Sequence, residues 1–209
     1  MSSTRSRRGK LVLIIVVGII ALGMYYVAGR QKHKYSFLAL GDSYTYGSYV
    51  KPAENYPNKA AQLLRDKGID TGDPTVVAQP GWTTAMILNA LEQKNITGTY
   101  SVVTVLSGTN DLFNGNDTAT YKKEFGTLLR KAIEYAGGHT KNVIVLSLPD
   151  WTVTPYGLKN SRENSKASIE AYNAACKEIA GLYECRYLDI TASHRGRAGN
   201  KEYLSQDGM

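Results

Sequence analysis

The chain alternates short apolar segments with longer segments of helical periodicity from Tyr35 onward. Most of the apolar segments are continuous runs rather than alternating ones, which is typical of strands buried on both faces of a parallel sheet. Five segments predict strands: Tyr35–Leu40, Thr75–Ala78, Ser101–Leu106, Asn142–Leu148 and Arg186–Ile190. The pattern therefore predicts a sheet of about five parallel strands.

The segments between these strands have the periodicity of amphipathic helices. In the first of them, Pro57 stands near the first helical turn and Gly68 follows the last turn, and these residue types favour the start and the stop of a helix. Four helices are predicted: Tyr56–Lys67, Thr83–Lys94, Thr118–Ala136 and Arg162–Leu182. The alternation of strands and helices indicates an α/β fold in which helices cover both faces of the sheet.

The N-terminal part of the chain predicts a membrane anchor. Leu11–Ala28 is a run of 18 residues without a charge. At a helical rise of about 1.5 Å per residue it would span roughly 27 Å, close to the thickness of the hydrocarbon core. Residues 1–34 are interpreted as a basic N-terminus, a transmembrane helix and a linker, and residues 35–209 as one domain on the extracytoplasmic side of the cell membrane. The alternative is a signal peptide cleaved near Ala28, which would give a secreted protein.

The distribution of charge decides which partners are possible. The chain has a formal charge of +7, which by itself suggests a partner with a negatively charged surface. Residues 1–34 contain seven basic and no acidic residues, so residues 35–209 hold equal numbers of basic and acidic residues. A domain without excess positive charge lacks what phosphate binding needs, and nucleic acid is therefore not expected as a partner.

Cys176 and Cys185 are the two cysteines of the chain. Export of the domain would permit a disulfide between them. The alternative is a pair of small, partly buried thiols at the end of a helix and the start of a strand. The sequence leaves both interpretations open, and neither cysteine has the neighbours of a nucleophile or a metal ligand.

The first predicted strand runs directly into a motif that places a serine on a turn. The motif GDSYTYG covers residues 41–47. Its first glycine allows a tight turn, and Ser43 would stand where the N–H groups of a following helix stabilise developing negative charge. We therefore predict that Ser43 is a nucleophile, with a polar turn cap as the alternative.

Two further groups follow the next two predicted strands. Gly81 stands in the turn after the second strand, where its backbone N–H could point into a cleft; the alternative is a simple turn before a helix capped by Thr83. Asn110, in the motif GTND at residues 108–111, follows the third strand. Its side-chain amide could donate to an oxyanion, and the alternative is an Asx turn. A hydroxyl, a backbone N–H and a side-chain N–H at one edge of a sheet suit acyl transfer.

The GDSYTYG motif, the Gly81 turn and the GTND motif resemble, in order and spacing, the first three sequence blocks of the SGNH hydrolase family of GDSL-type esterases and lipases. The resemblance covers about residues 35–209. It implies a three-layer α/β/α flavodoxin-like fold with Ser43 as the catalytic nucleophile. It also implies an oxyanion hole formed by the backbone N–H groups of Ser43 and Gly81 and by the side chain of Asn110.

The last block of that family reads Asp-x-x-His, in which the aspartate orients a histidine that acts as general base. Asp207 matches the aspartate and the histidine would be residue 210, so the chain is expected to be a fragment truncated before the catalytic histidine. Among the other histidines, His33 lies beside the predicted membrane segment and His139 at the amino end of the fourth strand. His194 is interpreted as a solvated loop histidine.

The function that the resemblance implies is hydrolysis of a small carboxylic ester, such as an acetylated sugar or a lysolipid, by a serine esterase. The alternative is a non-catalytic, membrane-tethered domain that binds an acylated glycan or lipid. No cofactor or metal is predicted, because the chain has no nucleotide-binding glycine motif and no His, Cys and Asp cluster at ligand spacing. Trp151 is predicted either to line the acyl pocket or to cover the core. Asp111 and Asp150 are interpreted as structural hydrogen-bonding residues.

Overall fold

The structure is a computed structural model that describes residues 34–94, 96–161, 165–206 and 208. The predicted membrane segment Leu11–Ala28 lies outside these residues. Within the described part of the chain, every helix is too short or too polar to cross a membrane.

Five parallel strands form one sheet, as the sequence predicts. Their order across the sheet is β2-β1-β3-β4-β5. The strands are β1 (Phe37–Gly41), β2 (Thr75–Ala78), β3 (Val102–Leu106), β4 (Val143–Leu146) and β5 (Arg186–Leu188). Strand β1, the second in this order, ends level with both neighbours, because Gly41 pairs with Ala78 on one side and with Leu106 on the other. The turns that follow these three strands therefore begin side by side at one edge of the sheet.

Eight helices lie within the described residues, and they include the four long helices that the sequence predicts, with shifts of a few residues at their ends. The helices are α1 (Ser43–Tyr46), α2 (Tyr56–Asp66), α3 (Thr84–Gln93), α4 (Thr109–Phe113), α5 (Thr118–Tyr135), α6 (Pro155–Asn160), α7 (Ser165–Leu182) and α8 (Thr191–Arg197). The four short helices α1, α4, α6 and α8 were not predicted. The side chains of Asp42 and Thr154 cap α1 and α6, and Gly108 precedes α4.

The core lies on both faces of the sheet, and β1 contributes to each face in turn. Leu38 and Leu40 are fully buried in the large cluster formed with α3, α5 and α7. The intervening residues Phe37 and Ala39 are buried on the opposite face, where they meet Ala61 of α2. Successive side chains of a strand point to opposite faces, so a strand that is apolar throughout needs helices on both sides. This explains the continuous apolar runs in the sequence.

Candidate active site

The turn after β1 carries Ser43 as the first residue of α1. Asp42 caps this helix, because its Oδ1 atom accepts a hydrogen bond from the Tyr44 N–H at 3.0 Å. Gly41 has no room for a side chain, since a Cβ there would lie 2.7 Å from the backbone oxygen of Leu106. The glycine and the capping aspartate together hold the half-buried Ser43 at the carboxyl end of β1.

The turn after β2 contains Gly81 in a left-handed conformation with φ +82°, which favours glycine. Thr83 then caps α3, because its Oγ1 accepts a hydrogen bond from the Met86 N–H at 3.3 Å. Gly81 is exposed, and open space surrounds the position where a Cβ would stand. Thr83 therefore caps a helix, as one sequence interpretation states, and Gly81 is accessible from outside; the direction of the Gly81 N–H stays a prediction.

The turn after β3 leads into α4 and contains Asn110. The Asn110 Nδ2 atom donates a hydrogen bond of 2.9 Å to the backbone oxygen of Trp82, the residue after Gly81. This bond ties the third turn to the second. An amide nitrogen carries two N–H bonds, and the bond to Trp82 uses one of them.

Asp111 also links the turn after β3 to the turn after β2. Its Oδ2 atom accepts hydrogen bonds from the backbone N–H and the hydroxyl of Thr84, at 3.0 and 3.1 Å. The Thr84 hydroxyl also contacts Ser107 Oγ at 2.8 Å. The interpretation of Asp111 as a structural hydrogen-bonding residue is confirmed, because it anchors the N-terminus of α3 to the end of β3.

Ser43 and Gly81 line one cavity of about 980 Å³ at this edge of the sheet. Asn110 is not among the residues that line this cavity, although its amide reaches the Gly81 turn through Trp82. The cavity is also lined by His194, by residues of the segment that follows α1 and by residues 202–205. The three sequence motifs are therefore neighbours in the fold, and two of their key residues face the same open volume.

His194 differs from its sequence interpretation as a solvated loop histidine. It lies in α8, its side chain is half buried, and it lines the cavity that contains Ser43. Burial lowers the pKa of His194, and the negative charge of Asp150 opposes this effect only in part. The imidazole is therefore favoured in its neutral form at neutral pH, in which one ring nitrogen can accept a proton.

Asp150 is a structural residue, as the sequence interpretation states. Its side chain is fully buried and makes an ion pair with Arg195 of α8, with Oδ2 at 2.7 Å from the Arg195 Nε atom. Its Oδ1 atom accepts a hydrogen bond from the Thr152 N–H at 3.1 Å. The hydrogen bonds and the charge of Arg195 hold the pKa of Asp150 below its usual value against the effect of burial. This pair fixes α8, and with it His194, to the loop after β4.

Three other sequence predictions have a clear outcome or lie outside the described residues. Trp151 is 2% exposed and stacks on Phe113 with ring centroids 4.6 Å apart, so it covers the core and does not line the cavity.

Cys176 and Cys185 are both free thiols, and burial raises the pKa of Cys176 to about 12. Asp207 lies outside the described residues. Within the described part of the chain, no group of three or more His, Cys, Asp or Glu residues could hold a metal ion.

Asp42 is the most perturbed acid of the site. It is completely buried, and its Oδ2 atom has no hydrogen-bond partner among the described residues. Burial raises the pKa of Asp42 from 3.8 to about 7, the nearby charge of Asp111 adds to this effect, and the hydrogen bond from the Tyr44 N–H opposes it. A carboxyl group directly before Ser43 therefore keeps its proton to a much higher pH than an exposed carboxyl group does.

We expect the unfolding free energy to fall between about pH 4 and pH 7 because of Asp42. The folded state keeps the proton of this acid up to a pKa of about 7, whereas the unfolded state releases it at 3.8. Folding therefore loses at most roughly 4 kcal/mol as the pH rises through this window. Asp42→Asn keeps an oxygen that can accept the Tyr44 N–H but cannot ionise, so this variant should be more stable than the parent above about pH 7.

Urea unfolding of both proteins across this pH window measures the effect. Asp117→Asn is the matched control, because Asp117 also caps a helix but is exposed and has a lowered pKa. The control should keep the slope of the parent between about pH 4 and pH 7, since Asp117 is already ionised there. An Asp42→Asn variant with the same slope as the parent would contradict the assignment.

Comparisons with known proteins identify relatives of this fold. The sequence profile of the GDSL-like Lipase/Acylhydrolase family matches residues 39–209. The solved structure of AlinE4, described as an SGNH-hydrolase family esterase, is 19% identical and superposes with a TM-score of 0.64 over 86% of this chain and 87% of that chain. No curated protein sequence matches significantly.

Two further solved structures have the same fold. The lipase/acylhydrolase from Enterococcus faecalis is 18% identical, with a TM-score of 0.66 over 83% of this chain and 85% of that chain. Axe2, described as an acetyl xylan esterase from Geobacillus stearothermophilus, is 16% identical in its W215I form, with a TM-score of 0.60 over 85% of this chain and 87% of that chain. At these identities the structures establish a common fold.

Proposed function

The chain belongs to the GDSL-like lipase/acylhydrolase family of esterase-type hydrolases, and from that premise we propose that it hydrolyses small carboxylic esters with Ser43 as the nucleophile. The observation that carries this proposal is the shared cavity of Ser43 and Gly81 at the point where β1 ends level with β2 and β3. The carboxyl ends of parallel strands are where such folds bind their ligands.

In the proposed reaction the Ser43 hydroxyl oxygen attacks the carbonyl carbon of the ester, and a general base takes the hydroxyl proton. The tetrahedral intermediate collapses when the bond to the alcohol breaks, and the base returns the proton to the departing alkoxide. A water molecule, deprotonated by the same base, then attacks the acyl group on Ser43. The bond between the acyl carbon and Ser43 Oγ breaks, the base returns the proton to Oγ, and the carboxylic acid is released. No cofactor takes part in either half of this sequence.

The developing negative charge on the carbonyl oxygen would be stabilised by N–H donors from all three turns. The N–H of Ser43 is the first of α1 and has no partner inside the helix. The Gly81 N–H belongs to an exposed turn, and Asn110 has one amide N–H beyond the one that it donates to Trp82. Donors held in place before the reaction lower its barrier because they need no reorganisation.

For the general base we propose a histidine at position 210, three residues after Asp207, because the last sequence block of the family has this spacing. His194 is a second candidate, since it lines the cavity of Ser43 and its pKa is lowered. We also propose that the domain acts on the extracytoplasmic side of the membrane, either tethered through Leu11–Ala28 or released by cleavage of that segment.

Replacement of Asn110 by alanine tests the oxyanion hole. Loss of one oxyanion donor lowers kcat by about 10²-fold to 10³-fold in serine hydrolases, and we expect a drop of this size for p-nitrophenyl acetate, with a much smaller change in KM. The rates are measured in a chain that carries histidine at position 210. Asn114→Ala is the control, because Asn114 is exposed at the end of the same helix. Equal rates for the two variants would refute the role of Asn110.

A further inference from the structure

Tyr49 has a strained backbone at the mouth of the Ser43 cavity. Its φ is +65°, a left-handed conformation that side chains other than glycine adopt rarely. The ring is 63% exposed and lines the cavity. Glycine would adopt this conformation without the steric cost of a Cβ, so the tyrosine is unfavourable for the fold of this turn. Strain of this kind is concentrated at sites that bind or react with ligands.

The turn that carries Tyr49 is tied to the nucleophile. The Ser48 N–H donates to the backbone oxygen of Ser43 at 3.1 Å, and the Asn55 side chain donates to the backbone oxygen of Tyr46 at the same distance. The turn packs so closely on Asn55 that a Cβ at Gly47 would lie 2.5 Å from the Asn55 Cβ. The position of Tyr49 is therefore fixed relative to Ser43, as a residue that selects a substrate needs to be.

The chemistry of the cavity wall is aromatic and polar. Three of its residues have aliphatic side chains, Val50, Pro80 and Leu204, and five are tyrosines: Tyr44, Tyr46, Tyr49, Tyr56 and Tyr203. Glu54, Lys59 and Glu202 add charged groups to the same wall. A long acyl chain could pack on the tyrosine rings, but it would leave the hydrogen-bonding groups of this wall without a partner.

A sugar ring matches this wall in both of its properties. Its C–H groups form an apolar face that packs on an aromatic ring, and its hydroxyl groups form hydrogen bonds with carboxylate and ammonium groups around that ring. Tyrosine combines an apolar ring with a polar end, which suits a surface that is wet at its edge. Tyr46 and Tyr49 are exposed and available to such a ligand, whereas the exposed Tyr203 has the Arg197 guanidinium over its ring, 5.1 Å from the ring centroid.

We propose that this cavity binds the carbohydrate part of an O-acylated saccharide, with a sugar ring packed on Tyr49 and a short acyl group directed to Ser43. The proposal rests on the esterase function proposed above and specifies its substrate class. Tyr49 is a specificity-determining residue in this account, and the hydrolytic chemistry itself does not need it.

Binding of an O-acetylated xylo-oligosaccharide, measured by isothermal titration calorimetry, tests the proposal. The protein is the 209-residue chain with Ser43→Ala, which prevents turnover and makes the measurement independent of the general base. Tyr49→Phe keeps the ring and should bind as the parent does. Tyr49→Ala and Tyr49→Gly remove the ring and should weaken binding by about tenfold, which is the loss expected for an aromatic contact.

The Tyr49→Gly variant separates loss of binding from loss of fold. Glycine relieves the left-handed strain, so its Tm should equal or exceed that of the parent while its affinity falls. Equal affinity of all four proteins for the oligosaccharide, or no binding by the parent, would overturn the proposal. It would also be overturned if a short-chain lysophosphatidylcholine bound more tightly than the oligosaccharide and lost affinity with the Tyr49 ring. These outcomes are independent of hydrolysis of p-nitrophenyl acetate, so failure of the esterase function is detected separately.

Discussion

Replacement of Ser43 by alanine is expected to lower kcat for p-nitrophenyl acetate by at least about a thousandfold while leaving the fold unchanged. The reason is that covalent catalysis is lost entirely, and only binding and the oxyanion hole remain to accelerate attack by water. Ser43 is half buried at the start of a helix that Asp42 caps, so its hydroxyl is not needed to hold the turn. Initial rates and circular dichroism measure the two parts of this prediction, in a chain that carries histidine at position 210.

The control for this variant is Ser193→Ala. Ser193 is an exposed residue of α8 at the same edge of the sheet, and it does not line the cavity of Ser43. Its substitution should leave both the rate and the spectrum unchanged, because exposed substitutions of this kind have small effects. If Ser43→Ala retained the rate of the parent, the nucleophile would be another group and the proposed function would be wrong.

The inner part of the sheet could be predicted because β1, β3 and β4 are mostly buried. The run Val102–Leu106, which is apolar except for Thr104, can be recognised without knowing its contacts, and a glycine stands two positions after it. The pattern also predicts that the turns after the strands meet at one edge of the sheet, because parallel strands bring their carboxyl ends together. The turns after the strands suggest the chemistry of Ser43, Gly81 and Asn110, and the family resemblance implies how these residues would act together.

The short helices could not be predicted, because fewer than two turns give no periodicity to detect. The sequence therefore indicates a loop at His194, because α8 contains one glycine and mostly polar residues. The ion pair that fixes α8 joins Arg195 to Asp150, which is 45 positions away in the chain. The bond from Asn110 to Trp82 spans 28 positions and is equally invisible in a linear pattern. The left-handed φ of Tyr49 depends on its turn and has no signal of its own in the sequence.

Two histidines, one at position 194 and one at position 210, are candidates for the general base. The family spacing from Asp207 assigns the base to position 210, whereas in the structure His194 lines the cavity of Ser43 with its pKa lowered by burial. Two chains that continue past Met209, one with histidine and one with alanine at position 210, separate these assignments. We expect the histidine chain to have a kcat/KM about 10²-fold to 10⁴-fold higher for p-nitrophenyl acetate, which is the contribution of a positioned base.

The same chain with His194→Ala completes this experiment. If the base is at position 210, the substitution of His194 should lower kcat/KM by less than about tenfold, since removing a side chain that only lines the cavity costs binding rather than proton transfer. In the chain with histidine at position 210, kcat/KM should rise as the pH increases through about 6.5, where an ordinary histidine loses its proton. The opposite result would be a loss of activity in the His194→Ala variant together with equal rates for histidine and alanine at position 210. His194 of α8 would then be the base that takes the proton from Ser43.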